Sequence, residues 1–520
     1  MKPGFYTWKK TRKDHEMQHK DLRGGQLQWK RAADVQDDIE DGKKNNDSLH
    51  RLRGEGTGLD RVQPGPPSPL PPHRTHRPLD SLSREEKLAN AMVGGKKGSS
   101  NRKKKKRKAR VEQMSALEYI HEWVSLDSPP TPTPSEADFS PLPRSHKALD
   151  PVVFDLHSHS TCSDGFLSPS ALVQRAHRNG VKVLALTDHD TMAGIPEAVE
   201  AAQKFGIRII PGVEISTVYS PSGECGAEEF VHILAYYGCC GPAGMEELEQ
   251  CLSGIREGRY VRAKNMLVKL DKLRMPVKWE HVTKIAGNGV APGRLHVARA
   301  MVEAGHVENV RQAFNRYLYD GGPAYATGSE PLAEDVVQLI CRTGGVAALA
   351  HPWVLKNPTA VIRSLKTAGL HAIEVYRSDG KVAGLGDIAG DYDLLKLGGS
   401  DYHGRGGQDE SDLGSVDLPV SVVHKFLKLS RSIWCGAIKD VLLSFAEDPS
   451  RTNLEKIMRF GRLKNLKLYK TLNHGDDVIN LCLSSWLTAK ERQAVELEDL
   501  RMKLSLTVIG NGDFQTLQTL

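Results

Sequence analysis

From Pro151 onward the chain alternates between short, nearly unbroken apolar runs and segments in which apolar residues recur every three or four positions. The runs are PVVFDLH, VKVLALTDHD, GIRIIPGVEIS, EFVHILAYYG, GGVAALAHP, LHAIEVYR and LLKLGGSDYHG. Most are bounded by Gly, Pro or polar turns, the signature of strands buried on both faces. Between several of them stand helix-like segments: SPSALVQRAHRNG, AGIPEAVEAAQKFG, LAEDVVQLICRTGG and PTAVIRSLKTAG. The first opens on Ser168 and Pro169 as cap and first-turn residue and stops at Gly180. Alternating strands and helices predict an α/β fold, either a barrel or a doubly wound sheet.

Three regions break the alternation. Residues 242–330 are charged and helical in pattern and are expected to form a helical subdomain inserted between a first barrel part at 150–241 and a second at 331–430. Residues 431–520 read as a helical C-terminal extension with no cluster of chemical groups. Residues 1–149 carry few apolar clusters, many charges and proline-rich stretches such as QPGPPSPLPPHR, and are expected to be a disordered tail. Within that tail, Lys96 to Arg110 holds ten basic residues, which accounts for much of the net charge of +7. So dense a run points to nuclear localisation through an import receptor, or to contact with nucleic acid. A short amphipathic segment, SALEYIHEWVSL, follows it and is expected to dock on the folded part or on a partner.

Composition narrows the rest. No apolar run approaches the roughly 18 residues of a membrane helix, and the N-terminus lacks the apolar core of a secretory signal. The eight cysteines are scattered without C-x-x-C pairs, so neither a disulfide framework nor a zinc ribbon is expected. A reducing compartment fits, the nucleus first and the cytoplasm second.

The polar residues that close the apolar runs form an unusual set. The first run ends in His157 and His159, with Asp164 in the loop beyond; the second ends in Asp188, His189 and Asp190. Glu214 closes the third, His232 lies in the fourth, His351 closes the fifth, and Asp401 and His403 close the last. Where strand ends converge on one face of a barrel, these groups meet in one pocket. His157 and His159, two apart on an extended segment, point to one side while Ser158 faces away. Six imidazoles and three carboxylates gathered without cations are costly to bury unless they coordinate metal. Mixed nitrogen and oxygen ligation suits two to three divalent ions of the Mn, Fe or Zn type.

In order along the chain, DLHSHS, LTDHD, GVEIS, ALAHPW and GSDYHG match H-x-H, T-D-H, G-V-E, A-H-P and S-D-x-H, and so resemble the polymerase-and-histidinol-phosphatase (PHP) superfamily of metal-dependent phosphoesterases. The resemblance spans residues 152–410. DGFLSPSALVQRAHRNGVKVLALTDHDT, GRLHVARAMVEAG and YLYDGGPAYA are similar to the group of 3′,5′-nucleoside bisphosphate phosphatases that double as 5′→3′ exoribonucleases. It implies a distorted seven-stranded TIM-like (β/α) barrel and a trinuclear centre that activates a hydroxide against phosphorus in nucleotides or short RNA. On the matching positions, His157, His159, Glu214 and Asp401 would hold one ion; Asp164, His189 and His403 a second; and Glu214, His232 and His351 a third, with Glu214 shared. Arg294 and His296 would contact substrate phosphate, Asp188 and Asp190 would orient His189, and Tyr325 would line the pocket. Two departures bear on substrate choice: the polar stretch YSPSGECGAE, and Trp353-Val354-Leu355 where a polar continuation is expected. A histidinol-phosphate phosphatase and a non-catalytic nucleic-acid or scaffold module are the alternatives.

Overall fold

A computed structural model describes residues 84–125, 151–221, 228–238, 240–319, 321–380, 384–406 and 410–460, with a few positions near 487 and 500. The rest of the expected disordered tail, the polar stretch at 222–227 and most of the C-terminal extension lie outside the described residues. The elements in chain order begin with α1 (Arg84–Ser125), β1 (Val153–Asp155), α2 (Pro169–Arg178), β2 (Val181–Leu186), α3 (Ile195–Phe205), β3 (Arg208–Tyr219) and β4 (Glu229–Tyr236). The inserted helices follow as α4 (Met245–Lys272), α5 (Trp279–Ala286), α6 (Arg294–Glu303) and α7 (Val310–Ala313). Then come α8 (Ala333–Arg342), β5 (Val346–Leu349), α9 (Pro358–Ala368), β6 (Ala372–Glu374), α10 (Leu385–Asp391), β7 (Leu395–Leu397), α11 (Val420–Glu447) and α12 (Arg451–Met458).

Local chemistry sets these boundaries. Ser168 Oγ accepts the amide of Ala171 at 3.2 Å and Pro169 opens α2, as the sequence predicts. Gly206 ends α3 in the left-handed region, at φ 64°, where a side chain would be strained.

The seven strands form one curled sheet in the order β1 to β7. β1–β2–β3 and β5–β6–β7 run parallel, but β4 is antiparallel to both neighbours. The expected alternation therefore fails at one place: β4 returns antiparallel beside β3 instead of crossing over to run parallel. Just past the ends of β1 and β7, Ser158 and Tyr402 form a single parallel bridge. His159 N donates to Tyr402 O at 2.9 Å and Asp401 N to His157 O at 3.0 Å. The two edges of the sheet touch there, at the site, without a continuous ladder between them.

Period-two alternation buries both faces of the strands. Phe154, Val183, Ala185, Ile210, Leu234, Tyr236 and Ala348 line the inside of the curl. Leu184, Leu186, Val213, Ile233, Leu349 and Ile373 face outward against α2, α3, α8 and α9. The inside is closed by Phe426, Leu427 and Trp434 of α11 and by Ile120 and Trp123 of α1. Trp434 Nε1 donates to Tyr236 O at 3.1 Å. The insertion has its own core of Met266, Leu270, Val297, Met301, Phe314 and Leu318.

Two expectations change here. The basic run of the N-terminal tail lies in a helix, α1, because Lys, Arg, Glu and Ala are good helix formers and its last turns gain an apolar anchor on the sheet. The boundary expected at residue 430 falls inside α11, whose first half belongs with the sheet. Beyond it, α11 and α12 share a cluster of Ile438, Val441, Leu442, Phe445, Leu454 and Ile457. Among the described residues no helix is long and apolar enough to cross a membrane, and Cys162, Cys240, Cys251, Cys341 and Cys435 are free thiols.

Candidate metal centre

β1 hands the chain to His157-Ser158-His159, still extended. Ser158 turns away, its Oγ donating to Ala185 O at 2.8 Å, and both imidazoles turn inward. His157 Nε2 and His159 Nε2 are 3.1 Å apart. Each is 3.2 Å from Glu214 Oε2, and they lie 3.2 and 3.1 Å from Asp401 Oδ1. A tetrahedral ion with bonds of about 2.0–2.1 Å needs ligand atoms separated by about 3.3 Å. Five of the six separations among the four atoms, at 3.1–3.2 Å, lie close to that requirement.

Asp164 gathers a second group. Its oxygens are 3.3 Å from His403 Nε2, 3.8 Å from His159 Nδ1 and 3.9 Å from His189 Nε2. Glu214 joins a third. Its Oε2 is 3.3 Å from His189 Nδ1, and its Oε1 is 2.9 Å from both His232 Nδ1 and His351 Nε2. The antiparallel β4 still delivers His232 to this end, since His232 pairs with Ser216, two residues past Glu214. Eight of the nine ligand candidates fall into three groups able to hold cations, and His351 joins them through its 2.9 Å contact with Glu214 Oε1. His159 faces the second group as well as the first, and His189 faces both the second and the third.

The donor set fits metal ions on a further ground: the buried ring atoms His159 Nδ1 and His189 Nδ1, which face Asp164 and Glu214, have no hydrogen-bond partner among the described residues. Burial opposes charge on His157, yet the carboxylates of Asp401, Glu374 and Glu214 hold its pKa well above the usual range. Burial likewise opposes charge on His159, which hydrogen bonds to Asp401 and Glu214 nevertheless push up to about 10. Burial raises Glu214, Asp401 and Asp164, but the surrounding imidazoles hold all three carboxylates well below their normal range. The carboxylates demand positive charge. Divalent ions supply it and expel the protons that the imidazoles would otherwise carry.

The backbone is bent to make this possible. Asp190, His351 and Asp401 have φ of 54°, 30° and 52°, a conformation costing roughly 1–3 kcal/mol at each non-glycine residue. Hydrogen bonds from Asp190 N to Glu214 O, His351 N to Glu374 Oε2 and Asp401 N to His157 O oppose that cost. Gly399 is required beside them, since a Cβ there would overlap the backbone of His157.

Several supporting roles differ from those expected. Asp188 accepts from Ser160 N, Ser160 Oγ and Ser163 Oγ, each at 2.7 Å, so it pins the loop that carries Asp164 instead of orienting His189. Asp190 accepts from Ser216 N at 2.7 Å and pairs with Arg259 at 2.6 Å, again away from the His189 ring. Arg294 is buried in the insertion's core, donating to Leu318 O at 3.0 Å, with its guanidinium over Phe314 and Tyr325. Arg294 and Tyr325 therefore pack on each other inside the insertion. His296 accepts the Gly293 amide on Nδ1 at 2.9 Å. Burial, with Arg299 and Arg259 nearby, lowers its pKa to about 4 against the pull of Asp164, which leaves a neutral imidazole near the second group.

Sequence reasoning misses three residues. Glu374 closes β6 and is 3.1 Å from His157 Nδ1, and it also receives the His351 amide. The signal is present, a carboxylate at the end of a strand like the others. Asp155 accepts from Ser400 N at 3.0 Å and Gly414 N at 2.8 Å, tying β1 to the chain after β7. Arg259, from a helix of the insertion, bonds Ser216 Oγ and Asp190 and gives the cluster a fixed cation. Nothing in its local sequence marks it.

An α/β sheet whose strand ends hold buried imidazoles and carboxylates around cation-sized spaces defines a metal-dependent hydrolase. The PHP domain model matches residues 155–284. A 5′-3′ exoribonuclease of Haemophilus influenzae is 36% identical over 286 residues, which is 52% of this chain and 98% of that protein. A 3′,5′-nucleoside bisphosphate phosphatase of Chromobacterium violaceum is 33% identical over 278 residues, 51% of this chain and 92% of that one. A solved structure of a Chromobacterium violaceum amidohydrolase with bound sulfate is 31% identical, covering 54% of this chain and 97% of that chain at a TM-score of 0.47. The chain belongs to the PHP-domain family, and it is a hydrolase acting on phosphoester bonds.

Proposed function

We propose that the protein removes phosphate from nucleoside 3′,5′-bisphosphates and releases mononucleotides from the 5′ end of short RNA. The observation that carries this reading is the gathering of the nine candidate ligands around Glu214 and Asp164, together with near-complete coverage of relatives named for those two activities. Two to three divalent ions, of the Mn, Fe or Zn type, would sit on the three groups. They would polarise the phosphoryl oxygens and lower the pKa of water to near neutrality. His157, His159, Glu214 and Asp401 would hold the first position, with Glu214 shared between positions. The curl of the sheet gathers the ligand residues of its strands into one cluster, which supports the distorted barrel expected of the family. His296 presents a neutral imidazole near Asp164, suited to donate a hydrogen bond to a phosphate oxygen.

The test is a substrate panel on metal-loaded protein. Adenosine 3′,5′-bisphosphate should release phosphate, and 5′-phosphorylated RNA should release mononucleotides, with Mn²⁺ added. His157→Ala should abolish both with the melting temperature little changed. Hydrolysis of histidinol phosphate in preference to either would overturn the assignment. The basic run supports residence in the nucleus, which a fluorescent fusion with and without residues 96–110 checks.

A further inference from the structure

The described part of the basic run is mounted on the folded unit. Lys105, Lys106, Arg107, Lys108 and Arg110 are all exposed on α1, and Glu112 is the one carboxylate within those two turns. Its pair with Lys108, at 3.8 Å, is largely solvated and leaves the excess of positive charge standing. At its other end α1 is fixed. Ile120 and Trp123 are 2% and 3% exposed. The Trp123 ring stacks on Phe154 at 6.3 Å and carries the Arg208 guanidinium at 4.1 Å, and Arg431 lies 5.4 Å over Tyr119. No Gly or Pro interrupts the helix between the basic residues and this anchor. The charges are therefore held at a set place.

That place is far from the metal centre. Trp123 sits where β1 and β3 begin, and β3 runs six residues from Arg208 to Glu214, about 20 Å of extended chain. Along the helix, Arg110 and Lys105 stand ~20–27 Å from Trp123. A nucleoside bisphosphate bound at the cluster cannot reach the basic turns. A polymer can.

We infer that Lys105–Arg110 is an RNA-binding exosite. It takes the phosphate backbone of a strand whose 5′ end occupies the metal centre, and so selects RNA by length. The inference rests on the reading of the metal centre as acting on nucleotides and RNA. At about 3.4 Å of rise per stacked nucleotide, a gap of ~20 Å takes roughly six stacked nucleotides, and somewhat fewer if the strand is extended. Shorter substrates should be blind to these residues.

Binding of 3′-fluorescein phosphorothioate RNA, which resists hydrolysis, to the full metal-loaded chain tests this by fluorescence anisotropy. Two lengths are compared, a 4-mer and a 20-mer. In a variant carrying Lys105→Gln, Lys106→Gln, Arg107→Gln, Lys108→Gln and Arg110→Gln, the 20-mer should bind at least tenfold more weakly. Its salt slope should fall by up to ~3.5, at ~0.7 for each single-strand phosphate no longer neutralised. The 4-mer should change less than twofold, and a variant with arginine at positions 105, 106 and 108 should match the wild type. Equal weakening for both lengths, or none for the 20-mer, would overturn the exosite. So would unchanged RNA binding with loss of nuclear accumulation, which would make the segment an import address. If length-dependent binding holds while neither substrate class is hydrolysed, the exosite stands and the catalytic reading falls.

Discussion

Glu374→Gln is the sharpest probe of the centre, because it removes a charge and half of an acceptor without changing volume. Glu374 is 2% exposed and serves two groups at once, with Oε1 3.1 Å from His157 Nδ1 and Oε2 accepting from His351 N at 2.8 Å. As long as both oxygens accept, His157 carries its proton on Nδ1 and offers a lone pair on Nε2, the atom that faces His159, Glu214 and Asp401. Glutamine retains one oxygen. If that oxygen stays with the His351 amide, the side-chain NH₂ faces His157 Nδ1, two donors oppose each other, and the tautomer that ligates through Nε2 is disfavoured. Loss of such a partner of a metal-bound histidine typically weakens binding 10–100-fold, about 1.4–2.7 kcal/mol. Competition with a chromogenic chelator measures the affinity, and thermal unfolding without metal reports the fold. Wild-type metal affinity in a folded Glu374→Gln protein would refute this account of how His157 is held. Glu374→Ala should do more damage to the apo fold, since it leaves two buried donors unsatisfied at roughly 1–3 kcal/mol each.

Other outcomes follow from the same geometry. Gly399→Ala should lower metal affinity more than a hundredfold, because the new Cβ would drive into the His157 backbone; isothermal titration with Mn²⁺ checks it, and retained affinity would mean the loop yields. Arg259→Met should destabilise the protein by about 3–5 kcal/mol by stranding buried Asp190, read by urea unfolding, with Arg259→Lys recovering part of the loss. Asp190→Asn should be milder than Asp190→Ala in the same unfolding assay, since asparagine tolerates the φ of 54° better than alanine. Trp123→Ala should cost about 3–5 kcal/mol in unfolding free energy while Mn²⁺ affinity stays within threefold; a stable variant would show that α1 is only laid on the surface.

Except for His232, which lies inside its run, the ligands are legible in the sequence because each stands at or just past the end of an apolar run, and five such ends can meet only if the strands share one sheet. His157 and His159 declare their common direction through spacing alone. Glu374 obeys the same rule but sits inside LHAIEVYR, where apolar neighbours on both sides hide the end of a three-residue strand. The direction of β4 is not legible, since a buried strand reads the same in either sense and the polar stretch before it resembles any other connection. Adjacency suggests that Asp188 and Asp190 serve His189, yet residues one apart on an extended chain point to opposite sides. That is why they reach Ser160 and Arg259 instead. Arg294 carries a charge that suggests a ligand, and only three dimensions show it enclosed by Phe314 and Tyr325. Charge density alone makes the basic run look unfoldable, because the Trp123 anchor that holds it lies a few turns away.

That anchor sets the smallest piece of this chain worth handling alone. Cut to residues 152–410, the span of the family resemblance, the protein would keep every candidate metal ligand and lose both covers of the curl. Phe154, Ile210, Leu234 and Tyr236 would then open onto solvent at the end opposite the chemistry. Such a fragment would be prone to self-association, and its poor behaviour would be mistaken for a fault of the catalytic core. A piece that begins before residue 105 and runs through α11 keeps the covers in place. In this member of the family the flanking sequence has become part of the enzyme's interior.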